Sequence, residues 1–259
     1  MRKILTSIIL IMIIIIVVFI FFSVDNKEKI ESVLTFNIAE ISIYSGAGGE
    51  NVSENYQNPE WNLNIYQYSD VAIYLERIVD FNDNNNIKNI YIDNIELGTP
   101  RLGTPKLYYL NPLEYGSDKI IESNEIVEKL EFDIINSENK NNDIGYSIPI
   151  LFQDLSNPIT LKYVNSNIVN SFKISNDNKL IFNGSLLKKA QINPKDIENQ
   201  ISFCINIKTG DDRIITKKIE ISIPLADNNG NSIYDGNIQY KNILNLGMWW
   251  ANFSLDFLN

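Results

Sequence analysis

The stretch Ile201-Ser202-Phe203-Cys204-Ile205-Asn206-Ile207 alternates strictly, with Ile201, Phe203, Ile205 and Ile207 on one face. Thr209-Gly210-Asp211-Asp212 follows, and then Arg213–Leu225 alternates again, with Ile219, Ile221, Ile223 and Leu225 as a second apolar row. A side-chain period of two on both sides of a Gly/Asp turn predicts a β-hairpin with one buried face. Cys204 falls opposite the Phe203 row. With no histidine in the chain and no second thiol to activate it, it reads as an inert cysteine.

Outward from this hairpin the same pattern repeats. Ser32–Tyr44, Trp61–Tyr68, Val71–Val79, Ile87–Leu97, Leu130–Ile134, Tyr146–Phe152, Ile159–Val164 and Ile168–Ile174 are short, Ile-rich and alternating. Turn residues separate them. Ser45-Gly46-Ala47-Gly48-Gly49 reads as a turn or loop, Ser69-Asp70 as a break between strands, and Asn183-Gly184 as a hairpin turn. Ser117–Val127 reads as a short helix capped by Ser117, and Pro194–Asn199 as a single helical turn. After a loop over Ala226–Gly236 a last strand runs toward the C-terminus. Strands at regular spacing without strand–helix alternation predict an all-β fold, a β-sandwich. The polar Ser137–Asp143 stretch is the best boundary in the sequence. It suggests a β-rich subdomain over residues 25–143 and a β-sandwich subdomain over 144–259.

The N-terminus is different in kind. Ile4–Phe22 carries no charge and only Thr6 and Ser7 as polar residues. As a helix this run spans roughly 28 Å, close to a bilayer's hydrocarbon core. No small-x-small cleavage pattern follows at Phe21–Asp25, so residues 1–24 read as an uncleaved signal anchor. Arg2 and Lys3 before the run are matched by Lys27 and Lys29 after it. The ordinary signal-anchor arrangement then puts the large domain outside the cell membrane, which it would cross once.

Composition excludes several chemistries. The chain has 259 residues, no histidine, one cysteine and a net charge of -10. Ser-His and Cys-His catalytic pairs are impossible, and so are the nitrogen–sulfur ligand sets of zinc. One cysteine forms no intrachain disulfide. The acidic balance disfavours nucleic acid. Gly46–Gly49 is followed by Glu50 rather than the Lys-Ser/Thr of a phosphate loop. The clusters Asp80–Asn84 and Asp227–Asn231 depart from the EF-hand pattern and read as turns, so no metal or other cofactor is expected. Glu122, Glu125, Glu128 and Glu131 read as a solvated face. The tandem repeat Leu97-Gly98-Thr99-Pro100-Arg101, Leu102-Gly103-Thr104-Pro105-Lys106 reads as an extended loop whose Arg101 and Lys106 form a basic lip.

Aromatic residues are the remaining candidates. In the last strand Trp249, Ala251, Phe253, Leu255 and Phe257 share one face, and Trp250 lies on the other with Asn252, Ser254 and Asp256. Trp250, Trp61, Tyr108 and Tyr109 are the residues expected to stack on a sugar or anchor a partner. Ile90–Leu97 resembles late strands of some carbohydrate-binding jelly rolls, in an alternation common to many strands. The sequence therefore leads to a non-catalytic, membrane-anchored β protein of the bacterial cell envelope, an interaction or structural component. Its partners are the lipid bilayer through residues 4–22 and an envelope protein or cell-wall polysaccharide. A carbohydrate-binding surface module and an envelope hydrolase using paired carboxylates are the alternatives.

Overall fold

The computed structural model describes residues 36–52, 60–78, 80, 84, 86–117, 125–136, 150–175, 181–227, 229–241 and 255–257. The anchor run Ile4–Phe22 lies outside them, and no helix among the described residues is long and apolar enough to cross a membrane.

The protein is mostly β, as expected. The strands are β1 (Phe36–Asn51), β2 (Glu60–Arg77), β3 (Ile87–Leu97), β4 (Thr104–Tyr109), β5 (Leu130–Ile135), β6 (Ile150–Phe152), β7 (Ile159–Ser175), β8 (Asn199–Thr209), β9 (Ile214–Ile223), β10 (Leu225–Ala226), β11 (Ser232–Ile233), β12 (Gly236–Lys241) and β13 (Leu255–Phe257). A five-stranded sheet has the order β12-β1-β2-β7-β4, and a six-stranded sheet the order β13-β9-β8-β3-β5-β6. β10 and β11 form a separate ribbon around the Asp227–Asn231 turn.

The β8–β9 hairpin forms in the register the alternation requires, with Ile201 opposite Ile221 and Phe203 opposite Ile219. These residues meet Ile41, Ile43, Val71, Ile73 and Leu161 of the other sheet in one hydrophobic cluster. Two sheets thus face each other across a shared core, an arrangement consistent with the expected sandwich. Strands from before and after residue 143 pair directly, β1 with β12, β2 with β7 and β3 with β8. Residues 25–143 and 144–259 therefore do not hold separate cores. The Ser137–Asp143 stretch itself lies outside the described residues.

β1, β2 and β7 outrun the second sheet. Beyond it their inner face is covered by α1 (Gly184–Lys189), whose Leu186 and Leu187 are fully buried against Ala47, Leu63, Ile65 and Ile174. Asn183 was expected in a hairpin turn. Instead its side chain accepts from Ser185 N at 2.9 Å and caps this helix. Lys188 and Lys189 in the last turn suit the helix's negative end. Between the two apolar clusters lies a buried polar belt. Ser45 Oγ and Ser69 Oγ are 2.7 Å apart, and Asn199 Nδ2 donates to Tyr163 Oη at 2.9 Å. Gln67 stands opposite Asn165. Among the described residues neither the Gln67 amide nor Asn165 Oδ1 finds a hydrogen-bond partner.

Several expected breaks are strand interior. Ser69-Asp70 lies within the continuous β2, and Asn165-Ser166-Asn167 within the continuous β7. Gly46–Gly49 belongs to β1, where Gly46 pairs with Tyr68 and Gly48 with Tyr66. A Cβ on Gly48 would stand 2.3 Å from Tyr66 Cζ, and one on Gly46 2.7 Å from Tyr68 Cζ. The glycines are there so that the tyrosine rings can lie across the neighbouring strand. The second half of the Leu-Gly-Thr-Pro repeat is strand too: Thr104, Pro105 and Lys106 begin β4, an edge strand, where a proline costs no ladder hydrogen bond. Residues 125–127 are not helical; Glu125 forms an isolated bridge to Tyr108.

Candidate functional site

The aromatic residues singled out from sequence do not form a row. Tyr108 and Tyr109 are 6% and 4% exposed, and alternation sends them to opposite faces of their sheet. Tyr109 joins the core between the sheets, whereas Tyr108 joins Tyr66, Tyr68 and Val164 on the outer face. Trp61 is 37% exposed at the start of β2, on the same side as the buried Leu63 and Ile65. Trp250 lies outside the described residues. Arg101 and Lys106 are matched with carboxylates, at 3.6 Å from Asp196 and 2.7 Å from Glu125, so the expected basic lip is charge-neutralised.

The Asp227–Asn231 loop is a self-contained turn. Asp227 Oδ1 accepts from Asn229 N at 2.9 Å and Asn231 N at 2.8 Å, and Oδ2 from Asn231 Nδ2 at 3.1 Å. These donors hold its carboxyl below the usual range. Among the described residues no three His, Cys, Asp or Glu side chains come together as a metal site.

The most unusual grouping is on the outer face of the five-stranded sheet. Asp70 of β2 stands directly opposite Lys162 of β7. Both side chains have 0% exposure, and Lys162 Nζ is 2.9 Å from Asp70 Oδ1. The contact is ionic, and Oδ1 accepts no aligned hydrogen bond. Asp70 Oδ2 accepts from Gly116 N at 2.6 Å, and Lys162 Nζ donates to Ser117 O at 2.6 Å. Both partners belong to the segment after the 3-10 turn Pro112–Glu114, which Asn111 caps through Leu113 N. Tyr68 supplies a wall, its ring centroid 4.5 Å from Nζ. Tyr115 lies alongside, its hydroxyl 3.0 Å from Ser42 Oγ, which also donates to Asn237 Oδ1.

Taking two charges fully out of water costs several kcal/mol per ion unless each is held on several sides. Burial pushes the Asp70 carboxyl up to about 6, against the pull of the Lys162 charge and the Gly116 N–H. Burial likewise raises the Tyr115 hydroxyl to about 12. The pair is thus a closed contact between an amine and a carboxyl group, with neither side chain exposed.

Comparison of the chain with family models, curated proteins and solved structures gives no match.

Proposed function

We propose that this chain is an interaction or structural component of a bacterial cell envelope, anchored by Ile4–Phe22 with its β domain outside the cell membrane and working without catalysis. The observation that carries the contact role is the placement of Leu113 and Val127. At 87% and 72% exposed they stand out among the exposed apolar side chains of the described residues. Both belong to segments flanking the edge strand β4. Leu113 sits in the turn that follows it, and Val127 lies two residues beyond the Tyr108–Glu125 bridge. Large apolar side chains held in water beside a strand edge favour contact with another protein. The burial of Tyr108 and Tyr109 weighs against sugar stacking, which needs exposed ring faces.

The test is co-purification of the full-length chain from detergent-solubilised membranes after crosslinking, run beside retention on cell-wall polysaccharide. A protein partner lost in the Leu113→Glu/Val127→Glu variant supports the reading. Polysaccharide retention lost in Trp61→Ala replaces it with the sugar-binding one. Protease treatment of intact cells tests the topology: a domain cut only after lysis overturns it.

A further inference from the structure

We propose that Lys162 and Asp70 condense into an intramolecular amide that staples β2 to β7. The argument stands on geometry and does not depend on the reading above. The two residues are register partners on the central strands of one sheet, and neither side chain exposes any surface. Nζ lies 2.9 Å from Oδ1, with the carboxyl carbon one C–O bond (about 1.23 Å) beyond. Reactants held at such separations in one orientation gain a large effective concentration.

Each remaining polar contact suits the product. Gly116 N–H is 2.6 Å from Oδ2 and stabilises the charge that builds there as the carbon becomes tetrahedral. Ser117 O is 2.6 Å from Nζ and accepts the single hydrogen an amide nitrogen keeps. Oδ1 accepts no aligned hydrogen bond and is the atom that leaves.

The step balances within the pair. A proton passes from the Lys162 ammonium to the Asp70 carboxylate, giving a neutral amine and a neutral acid. The raised carboxyl pKa, about 6, makes that transfer less costly than in water. The nitrogen lone pair attacks Cγ, the Nζ–Cγ bond forms, and the Cγ–Oδ1 bond breaks. Oδ1 departs as water with two of the ammonium's three protons. Nothing is oxidised or reduced. Neither side chain is exposed to bulk solvent, which disfavours the reverse hydrolysis. The exchange replaces an expensive buried ion pair with a neutral, hydrogen-bonded amide.

Mass spectrometry of the purified full-length chain tests this directly. The intact chain should weigh less than its sequence by one water. A protease digest should yield one branched peptide joining the segment around Asp70 to the segment around Lys162, with no trypsin cleavage after Lys162. Lys162→Arg keeps the positive charge but removes the amine, and should restore the sequence mass and the two linear peptides. Recovery of separate linear peptides from the wild-type chain overturns the proposal, as does a water loss that maps to any other position. The wild-type measurement decides the matter even where the variant folds poorly.

Discussion

Lys217 Nζ, from β9, donates a 2.9 Å hydrogen bond to Asn37 Oδ1 of β1, 180 positions earlier in the chain. Lys217 is 8% exposed and lines a narrow apolar pocket with Phe36, Ile38, Leu75 and Ile205. The amide of Asn37 passes the contact on, its Nδ2 donating to Glu76 Oε1 at 2.9 Å. One buried amine therefore ties β9 of the six-stranded sheet to the other sheet and, through an amide, to a surface carboxylate.

That contact predicts a rise of stability with alkaline pH. Burial lowers the Lys217 pKa from 10.5 to about 8, against the opposing pull of Glu76. Below about 8 the folded and unfolded chains both carry the proton, and the burial cost is present in full. Between 8 and 10.5 the unfolded chain keeps a proton that the folded chain has lost, so stability climbs with pH. The full gain is up to about 3 kcal/mol. Denaturant midpoints of the full-length chain at pH 7.5 and 9.5 measure it, and Lys217→Met should flatten the difference. An equal slope in both proteins would assign the effect to other groups.

The glycine beneath Tyr66 predicts a strong pairwise coupling. Gly48→Ala puts a methyl 2.3 Å from a ring that is itself only 7% exposed and has little room to swing. The expected cost is about 2 kcal/mol. In a Tyr66→Ala background the same substitution should cost far less, giving a large interaction energy in a double-mutant cycle. Additive effects would mean that the ring does not rest on this glycine.

Gln67 predicts the opposite sign. Its amide is fully buried without a hydrogen-bond partner among the described residues. Gln67→Met keeps the length and removes the desolvated groups, and should raise stability by about 1 kcal/mol. A thermal midpoint that falls instead would reveal a bound water satisfying the amide.

Two hydrogen-bond deletions should cost ordinary amounts. Tyr163→Phe strands Asn199 Nδ2 inside the polar belt, and about 1–2 kcal/mol is expected. Asn183→Ala removes the cap of α1, and about 1 kcal/mol is expected. Urea unfolding reads both.

Alternation made the β8–β9 hairpin legible, because period two survives any change of partner and the apolar row is unbroken from Ile219 to Leu225. The structure continues that face to Lys217, opposite Ile205. What misled was residue type. Ser69-Asp70 and Asn165-Ser166-Asn167 carry turn chemistry, yet they lie inside β2 and β7, where Ser69 meets Ser45, Asp70 meets Lys162 and Asn165 Nδ2 donates to Leu102 O. Gly46 and Gly48 signalled a loop because their use, making room for Tyr68 and Tyr66 on the neighbouring strand, is invisible until the register is known. The Asp70–Lys162 pair was hidden for the same reason. Only the alignment of β2 with β7 brings those two positions together. Tyr108 and Tyr109 were singled out for their rings, but adjacent strand positions point to opposite faces and cannot share a flat platform.

The pairing of β1 with β12 has a mechanical meaning. Glu40, near the start of β1, faces Lys241, the last residue of β12, and the ladder runs from there to Ser45 and Gly236. The polypeptide thus comes in and goes out at the same end of the same antiparallel ladder. A load applied between an anchor before Phe36 and anything gripping the chain beyond Lys241 would open that ladder like a zipper, one rung at a time, rather than shear all its bonds together. β12 would yield early under tension, while β7, deeper in the sheet, would stay out of the line of pull.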